Sequence, residues 1–403
     1  MKIKSPILAP LTSLLPEVPS LLMGAGPVPI PREVAQANTM VINHLGESMN
    51  KIVTGLQAMA QYVFQTNSNK IFGISGPSSA AMEMAVTALL WPGRKVLVLN
   101  LGTFSARFGD LARGVGADVV EIFPENTLSC FKVSDVHEAL KKNHYDVLTI
   151  VQGETSCGIQ NVELEQIVKL AHSMNVQTIV DAVCTLSTIS LPMDEWGIDV
   201  VLTGGQKGLS SVAGVSLIAF SEKTFDFICK REAPMPHWCL DPRRAYRFWV
   251  MHEYHYTAPV NGIMALYEAL RLICHETLEK RYERHLFNST TLQHCLEIMG
   301  LELHAPKECR LNSVVAIKNQ APVNGKELLA TITKNFRVEL SGAFGLDIIR
   351  VGQMGEQCRS ENVRRVIEAI GFSYRLLGIK LDVESALNEY DLKVNGIALL
   401  KCV

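Results

Sequence analysis

The chain has 403 residues, of which 48% are hydrophobic and 19% are charged, and its formal net charge is −2. This length allows two domains with large cores, and the composition excludes a disordered or fibrous chain. The sequence has no run of basic residues and no long uncharged apolar stretch, so we expect neither nucleic acid nor a membrane as a partner.

The ten cysteines are scattered, without a CxxC pair or a spacing typical of zinc sites. We therefore expect no metal site and reduced thiols that pack as small core residues. Pro10 and Pro16 interrupt the N-terminus before a signal-like apolar core can form, and residues 401–403 match no known targeting signal. These features predict a cytoplasmic protein.

Residues 1–22 are expected to form an extended arm, because prolines at 6, 10, 16 and 19 disfavour both helices and central strands. Beyond them, short apolar runs alternate with amphipathic stretches. The predicted strands are 71–74, 95–99, 118–123, 147–151, 177–180, 199–202 and 215–220. The predicted helices are 80–90, 105–114, 133–142 and 164–174. Strands rich in β-branched residues, without polar alternation, indicate a mainly parallel α/β sheet that is covered on both faces.

The second half of the chain predicts a smaller α/β domain. Residues 234–259 have little periodicity and are expected to form a long, partly ordered connection, which is followed by a long helix from 260 to about 300. Short strands (301–303, 313–317, 337–340, 348–351) then alternate with helices (325–335, 360–377), and residues 382–392 are also helix-like. The predicted organisation is an arm (1–22), a large domain (23–259), and a helical connection with a small C-terminal domain (260–403).

Two polar side chains lie at the ends of neighbouring predicted strands. Asp181 ends the apolar run 177–180, and Lys207 follows the run 199–202 and two glycines. Ligands of parallel sheets bind beyond the carboxyl ends of strands. A lysine and a carboxylate placed there can hold pyridoxal phosphate, since the amine bonds to its aldehyde and the carboxylate keeps its pyridine nitrogen protonated. A solvated loop lysine and a helix-capping aspartate are the alternative.

Residues 74–83 follow a predicted strand and begin a helix. Their small and hydroxyl residues expose backbone N–H groups and Ser Oγ atoms at the positive end of the helix dipole, which suits a phosphate. A simple capping box around Ser79 is the alternative. Neither a Walker motif nor a GxGxxG fingerprint is present, which excludes a P-loop protein and a Rossmann dehydrogenase.

Several motifs follow one another in a particular order: residues 21–27 (LLMGAGP), 62–66 (YVFQT), 75–76 (SG), 152–158 (QGETSCG), 180–183 (VDAV), 205–207 (GQK), 254–257 (YHYT) and 350–355 (RVGQMG). This ordered set resembles the class V branch of the fold-type-I pyridoxal-phosphate enzymes, specifically the alanine–glyoxylate / serine–pyruvate aminotransferase family. The resemblance covers about residues 21–377. It implies a fold-type-I α/β transferase, with a large domain around a mainly parallel sheet and a smaller C-terminal α/β domain.

The resemblance also implies roles for ten residues. Lys207 would form the Schiff base and move the proton between the substrate Cα and C4′ of the cofactor, and Asp181 would pair with the pyridine nitrogen. The others would contact the ring (Phe104, Thr155), the phosphate (Ser78, Ser79, Gln206), the phosphate of a second subunit in a homodimer (Tyr254, Thr257) and the substrate carboxylate (Arg350). Read without the resemblance, Phe104 is a core residue, Thr155 a turn residue, Arg350 a surface ion-pair partner, and residues 254–257 an exposed strand.

We therefore expect a homodimeric aminotransferase that moves an amino group by a ping-pong mechanism from alanine or serine to glyoxylate or pyruvate. Acidic substrates are not expected, because no second arginine is clearly placed for a distal carboxylate. A cysteine desulfurase or lyase is the main alternative, but Gln206 stands where a desulfurase has histidine, and no cysteine lies between Cys309 and Cys358. A non-catalytic binding protein that retains the fold is the other alternative. The chain departs from the family pattern at 77–79, 212–214 and 342–347, and the last two departures, which border the expected substrate pocket, leave the amino donor open.

Overall fold

The structure, a computed structural model, describes residues 3–400, with side chains as far as residue 396. Residues 401–403, which we predicted to carry no targeting signal, lie outside this range. The strands are β1 (Leu21–Leu22), β2 (Ile71–Ser75), β3 (Lys95–Leu99), β4 (Asp118–Ile122), β5 (Val147–Val151), β6 (Gly153–Glu154), β7 (Ile159–Gln160), β8 (Gln177–Asp181), β9 (Val200–Gly204), β10 (Val215–Phe220), β11 (Val314–Lys318), β12 (Val338–Glu339), β13 (Ser341–Gly342) and β14 (Ile348–Gly352). The helices are α1 (Arg32–Ala37), α2 (Glu47–Phe64), α3 (Ser78–Leu89), α4 (Ala106–Gly114), α5 (Val133–Lys142), α6 (Leu164–Ser173), α7 (Met193–Trp196), α8 (Glu222–Cys229), α9 (Pro242–Trp249), α10 (Val260–Glu276), α11 (Leu278–Ile298), α12 (Gly325–Phe336), α13 (Ser360–Leu376) and α14 (Val383–Leu400).

A seven-stranded sheet in the order β2-β10-β9-β8-β5-β3-β4 forms the centre of the larger part of the chain. Its pairings are parallel except those of β10, which runs antiparallel to β2 and β9. Every residue of β5, β9 and β10 is buried, as expected for strands that are covered on both faces. The predicted mainly parallel α/β fold is thus confirmed.

The register of this sheet brings the predicted catalytic residue, Lys207, and the predicted cofactor-binding residue Asp181 to the same edge. β8 and β9 are parallel neighbours, and Asp181 pairs with Leu202. The loop after β9, which contains Lys207, therefore begins beside the last residue of β8. Helix α3 packs against β9 and β10, which brings its first turn to this edge as well.

A smaller antiparallel sheet in the order β11-β14-β13 lies near the C-terminus and shares a second hydrophobic core with α12, α13 and α14. Strand β1 pairs with β12, and Met23 belongs to this second core. Helix α10 contributes Ile263 and Leu266 to the larger core instead. The domain limits at residues 22 and 260 stay predictions, since each core draws on residues from beyond them.

Three segments differ from the sequence-based predictions. The long helix after residue 260 is two helices, α10 and α11, separated by Thr277 at a φ of +70°. The predicted strand 301–303 makes a single bridge, from Leu303 to Ile317. The connection 234–259 contains a helix, α9. The apolar periodicity continues through Thr277, so the signal that the sequence offered for the corner was a threonine able to cap α11, whose side chain accepts from the Lys280 N–H.

The N-terminal segment has one turn of 3₁₀ helix at Leu11–Ser13 and is otherwise irregular up to β1. Several of its apolar side chains are exposed, including Ile3 and Ile7. Among the described residues, no helix has the length and apolar character that a bilayer crossing requires.

Candidate active site

A cavity of about 260 Å³ lies at the carboxyl ends of β8 and β9. Seven of the ten predicted site residues line it: Ser78, Ser79, Phe104, Thr155, Asp181, Gln206 and Lys207. Its wall also contains residues that the sequence analysis did not single out, namely Met82, Arg107, Val183 and Cys184. A larger open groove of about 550 Å³ around Glu297, His304 and Lys318 contains none of the predicted residues.

Lys207 projects from the turn that follows β9. Its Nζ donates to the carbonyl of Ala25. Burial lowers the pKa of the amine and nearby Arg350 lowers it further, while Cys184 and Asp181 act in the opposite direction. A lysine with a depressed pKa is more often neutral and therefore nucleophilic, as a residue that bonds to an aldehyde must be.

Gly26 closes the other side of the lysine. It lies at a φ of +97°, and a β-carbon there would come within 2.6 Å of Lys207 Nζ. Glycine therefore suits this position on two grounds, its left-handed backbone and the closeness of the amine.

Asp181 is the last residue of β8, and its Oδ1 accepts a hydrogen bond of 2.7 Å from the Val183 N–H. Burial raises the pKa of this carboxyl to about 7, and the nearby Glu154 adds to the rise. The hydrogen bond from Val183 and the charge of Lys207 lower the pKa and so oppose it. The structure records no ion pair for Asp181 among the residues that it describes. A desolvated carboxylate of this kind is stabilised by a cationic N–H, which the protonated pyridine ring of pyridoxal phosphate provides.

The first turn of α3 forms the polar end of the cavity. Within the described chain, the backbone N–H groups of Ser78 and Ser79 have no acceptor. Gln206 Nε2 donates to Ser78 Oγ at 3.3 Å, and Gln206 Oε1 is buried without a partner. Arg107 Nη1 lies 3.2 Å from Ser79 Oγ. This group of donors fits a phosphate.

Phe104 lies on the cavity wall between Arg107 and a buried carboxylate. The Arg107 guanidinium is 4.7 Å from the centroid of the Phe104 ring. The Phe104 N–H donates to Glu154, which is fully buried and also accepts from Ser105 Oγ at 3.0 Å and from Ser156 Oγ at 2.6 Å. Glu154 therefore fixes the backbone that carries the ring.

Arg350, on the middle strand of the small sheet, β14, does not line the cavity itself but contacts the backbone of Thr155, which does. Its Nη1 donates to the Thr155 carbonyl at 2.8 Å, and Nε and Nη2 both donate to the Gly342 carbonyl. Its side chain is buried, and burial lowers its pKa while Glu154 and Cys157 oppose that effect. Of the five N–H groups of a guanidinium, two remain for a carboxylate.

Tyr254 and Thr257 do not reach the cavity of their own chain. Both side chains are exposed, and the Tyr254 ring packs edge-on against His44 with the ring centroids 6.0 Å apart. Their predicted contact with the phosphate of a second subunit stays a prediction.

Arg107, Glu154 and Cys184 lie at the site but were not among the residues predicted from the sequence. Arg107 lies one helical turn after Phe104, and its spacing was the available signal. Glu154 lies inside the QGETSCG motif, and Cys184 three residues after Asp181. Burial raises the pKa of Cys184 to about 12, so this thiol is unsuited to act as the thiolate nucleophile of a desulfurase.

Comparison with known proteins shows the family of this chain and several proteins that it resembles. The model of the class-V aminotransferase family matches residues 32–345. The alanine–glyoxylate aminotransferase of Rattus norvegicus is 30% identical over 359 residues, which is 87% of this chain and 86% of the relative.

Two crystal structures have the same fold over nearly the whole chain. One is an alanine–glyoxylate aminotransferase from Nostoc sp. (31% identity, TM-score 0.86, 91% of this chain and 100% of that chain). The other is the ureidoglycine–glyoxylate aminotransferase from Bacillus subtilis (26% identity, TM-score 0.89, 94% and 99%). The fold, the cavity and these similarities lead to one conclusion: the chain belongs to the class-V aminotransferase family and is a pyridoxal-phosphate-dependent transaminase.

Proposed function

We propose that the enzyme transfers an amino group from a small neutral amino acid, alanine or serine, to a small 2-oxo acid, glyoxylate or pyruvate. The observation that carries this proposal is a cavity of about 260 Å³ with one guanidinium, Arg350, held against its wall at Thr155, and we propose that this guanidinium binds the substrate carboxylate. Ring and substrate must share this space, which favours a small side chain. Both half-reactions would use the same site in turn, as a ping-pong mechanism requires.

When bound, pyridoxal phosphate supplies the electron sink for this chemistry. Lys207 would hold the cofactor covalently until the substrate amine replaces it, and the freed Nζ would then move the proton between the substrate Cα and C4′. Its lowered pKa supports this role, because a neutral amine can accept the Cα proton. Asp181 would keep the proton on the ring nitrogen, and Phe104 would cover one face of the ring.

At the opposite end of the cavity, Ser78, Ser79 and Gln206 would bind the phosphate. The sequence has no second arginine that is clearly placed for a distal carboxylate, and in the structure Arg107 lies on the cavity wall. Its contact with Ser79 Oγ supports a role at the phosphate rather than at a distal substrate carboxylate. We therefore retain the proposal that acidic substrates are disfavoured.

The names of the relatives support glyoxylate as the acceptor. The rat and Nostoc proteins are named for alanine and glyoxylate, and the Bacillus protein for ureidoglycine and glyoxylate. The acceptor is common to these names while the donor differs, so the donor is the part of the proposal that most needs a direct test.

Half-reactions observed in the absorption spectrum of the bound cofactor provide that test. Alanine or serine should bleach the yellow holoenzyme faster than aspartate or glutamate, and glyoxylate or pyruvate should restore the colour. If an acidic amino acid is the fastest donor, the proposed substrate class is wrong. An untreated sample at the same pH serves as the control.

We also propose a homodimer in which Tyr254 and Thr257 complete the partner's phosphate site, which is consistent with their exposure in the single chain. Mixing subunits tests this. Lys207→Ala and Tyr254→Ala homodimers should each be impaired, whereas co-refolded mixtures should regain activity because one site of each heterodimer is intact. If the mixture is no more active than its components, Tyr254 does not act across an interface.

A further inference from the structure

A buried arginine on α11 contacts the loop that carries Lys207. Arg281 is 3% exposed and lies in the first turn of the helix. Its Nη2 donates to the carbonyl of Gly208 at 2.7 Å, and its Nε donates to Ser187 Oγ at 3.3 Å. Gly208 directly follows Lys207, so the guanidinium contacts the backbone of the residue next to the catalytic lysine.

The Gly208 carbonyl has a second donor that acts together with the arginine. Ser187 Oγ donates to the same oxygen at 3.0 Å. A side chain at Gly208 would collide with the carbonyl of Leu186, so the loop backbone lies directly against the 182–188 turn. Two hydrogen bonds and close packing thus fix the Gly208–Leu209 peptide group, one residue beyond Lys207.

The charge of Arg281 is balanced within the protein. Its Nη1 lies 2.7 Å from a Glu276 carboxylate oxygen, and Arg284 binds the same carboxylate. Although burial alone would raise the pKa of Glu276, these two guanidinium groups hold it at about 2. A buried ion pair of this kind is costly to break, because the remaining charge would be uncompensated.

Arg284 contacts a different part of the molecule. It donates to the carbonyls of Gly355 at 3.0 Å and Cys358 at 2.8 Å, in the segment that follows β14 and Arg350. The two arginines therefore share Glu276, and of the two only Arg281 contacts the loop of Lys207 directly. The segment that Arg284 holds meets that loop at one hydrogen bond, from the Glu356 N–H to Ser210 Oγ. The corner at Thr277 directs the first turns of α11 to both loops.

We propose that Arg281 is a positioning residue, which sets the place of the Lys207 amine through the Gly208 carbonyl. This inference rests on the proposed role of Lys207. A lysine at position 281 would keep the charge and could reach Glu276 or Gly208, but it lacks the planar fork that reaches both. The loop would then relax, and the amine would move away from its place beside the Ala25 carbonyl.

The test compares Arg281→Lys with the matched variant Arg284→Lys, both as holoenzymes. We expect both to lose stability in denaturant, because both weaken the shared pair with Glu276. Only Arg281→Lys should change the pH titration of cofactor absorbance, which follows protonation of the Lys207 nitrogen bonded to the cofactor. Its midpoint should rise by about half a pH unit or more, because that nitrogen becomes better solvated and its protonated form is then less disfavoured. Its kcat for the alanine half-reaction should fall about 10- to 100-fold, with a smaller change in KM, as expected for a misplaced catalytic group.

A second variant covers the possibility that Arg281→Lys fails to fold. Ser187→Gly removes the other donor to the Gly208 carbonyl, and Ser187 lies at a φ of +68°, which glycine accommodates more easily. We expect a folded protein with the same upward shift of the titration midpoint. An unchanged midpoint in Ser187→Gly, or equal shifts in the two arginine variants, would overturn the proposal. A wild-type enzyme whose cofactor is bonded to a lysine other than Lys207 would instead refute the proposed function.

Discussion

Replacing Arg350 by lysine tests the proposed carboxylate clamp. The guanidinium is fixed by hydrogen bonds to the Thr155 and Gly342 carbonyls, and two of its N–H groups remain for a substrate. A lysine would keep the charge but would offer one point contact in place of a planar pair of donors. We therefore expect alanine to bind and react less well, although the cofactor contacts at the far end of the cavity are untouched.

The magnitude follows from the number of hydrogen bonds lost. A hydrogen bond to a charged group contributes about 1.5–3 kcal/mol, and the substitution removes one of the two that the substrate carboxylate would accept. Since about 1.4 kcal/mol corresponds to a factor of ten, kcat/KM for alanine should fall roughly 10- to 100-fold.

The most informative assay compares alanine with ethylamine, which lacks the carboxylate. The wild-type enzyme should prefer alanine strongly, and the preference should shrink in Arg350→Lys because only alanine uses the clamp. The affinity of the cofactor-free protein for pyridoxal phosphate, measured by titration, is the control and should be nearly unchanged. If the ratio between the two amines is the same in both proteins, Arg350 does not bind the carboxylate.

Two further predictions concern the surroundings of the lysine and the ring. Gly26→Ala should abolish covalent cofactor binding, because its Cβ would lie 2.6 Å from Lys207 Nζ. The control variant Gly93→Ala has a similar φ of +93° but lies in open space, so it should lower only the stability of the protein. The absorption spectra of the two variants with pyridoxal phosphate test this, and equal spectra would contradict it. Burial raises the pKa of the Asp181 carboxyl from 3.8 to about 7. Between about pH 4 and 7 this carboxyl is therefore ionised in the unfolded chain but still protonated in the folded one. The cofactor-free protein should lose stability as the pH rises through that range. Thermal unfolding of wild type and Asp181→Asn across these pH values checks this, and a wild-type slope that persists in the variant would argue against it.

The residues that the sequence placed well are those whose position follows from a strand end. Asp181 and Lys207 each follow a continuous apolar run, and the carboxyl ends of parallel strands meet at one edge, so their proximity could be predicted without coordinates. The phosphate end was also accessible, because Ser78 and Ser79 begin a helix directly after a strand.

The residues that were missed act through contacts between distant segments. Glu154 binds the backbone at Phe104, and Arg281 binds the backbone at Gly208. Neither contact leaves a pattern in the local sequence, because each depends on tertiary packing. The corner at Thr277 was missed for a related reason: apolar periodicity continues across it, and a single residue at positive φ has no signature when it is not glycine.

The central claim is that Lys207 carries the cofactor. Reducing the wild-type holoenzyme with borohydride fixes the cofactor on its lysine, and peptide mass spectrometry then identifies that residue. We predict the added pyridoxyl group on the peptide that contains Lys207, and no such group after the reduction is repeated on Lys207→Ala. A label on any other lysine of the wild-type protein would contradict the account.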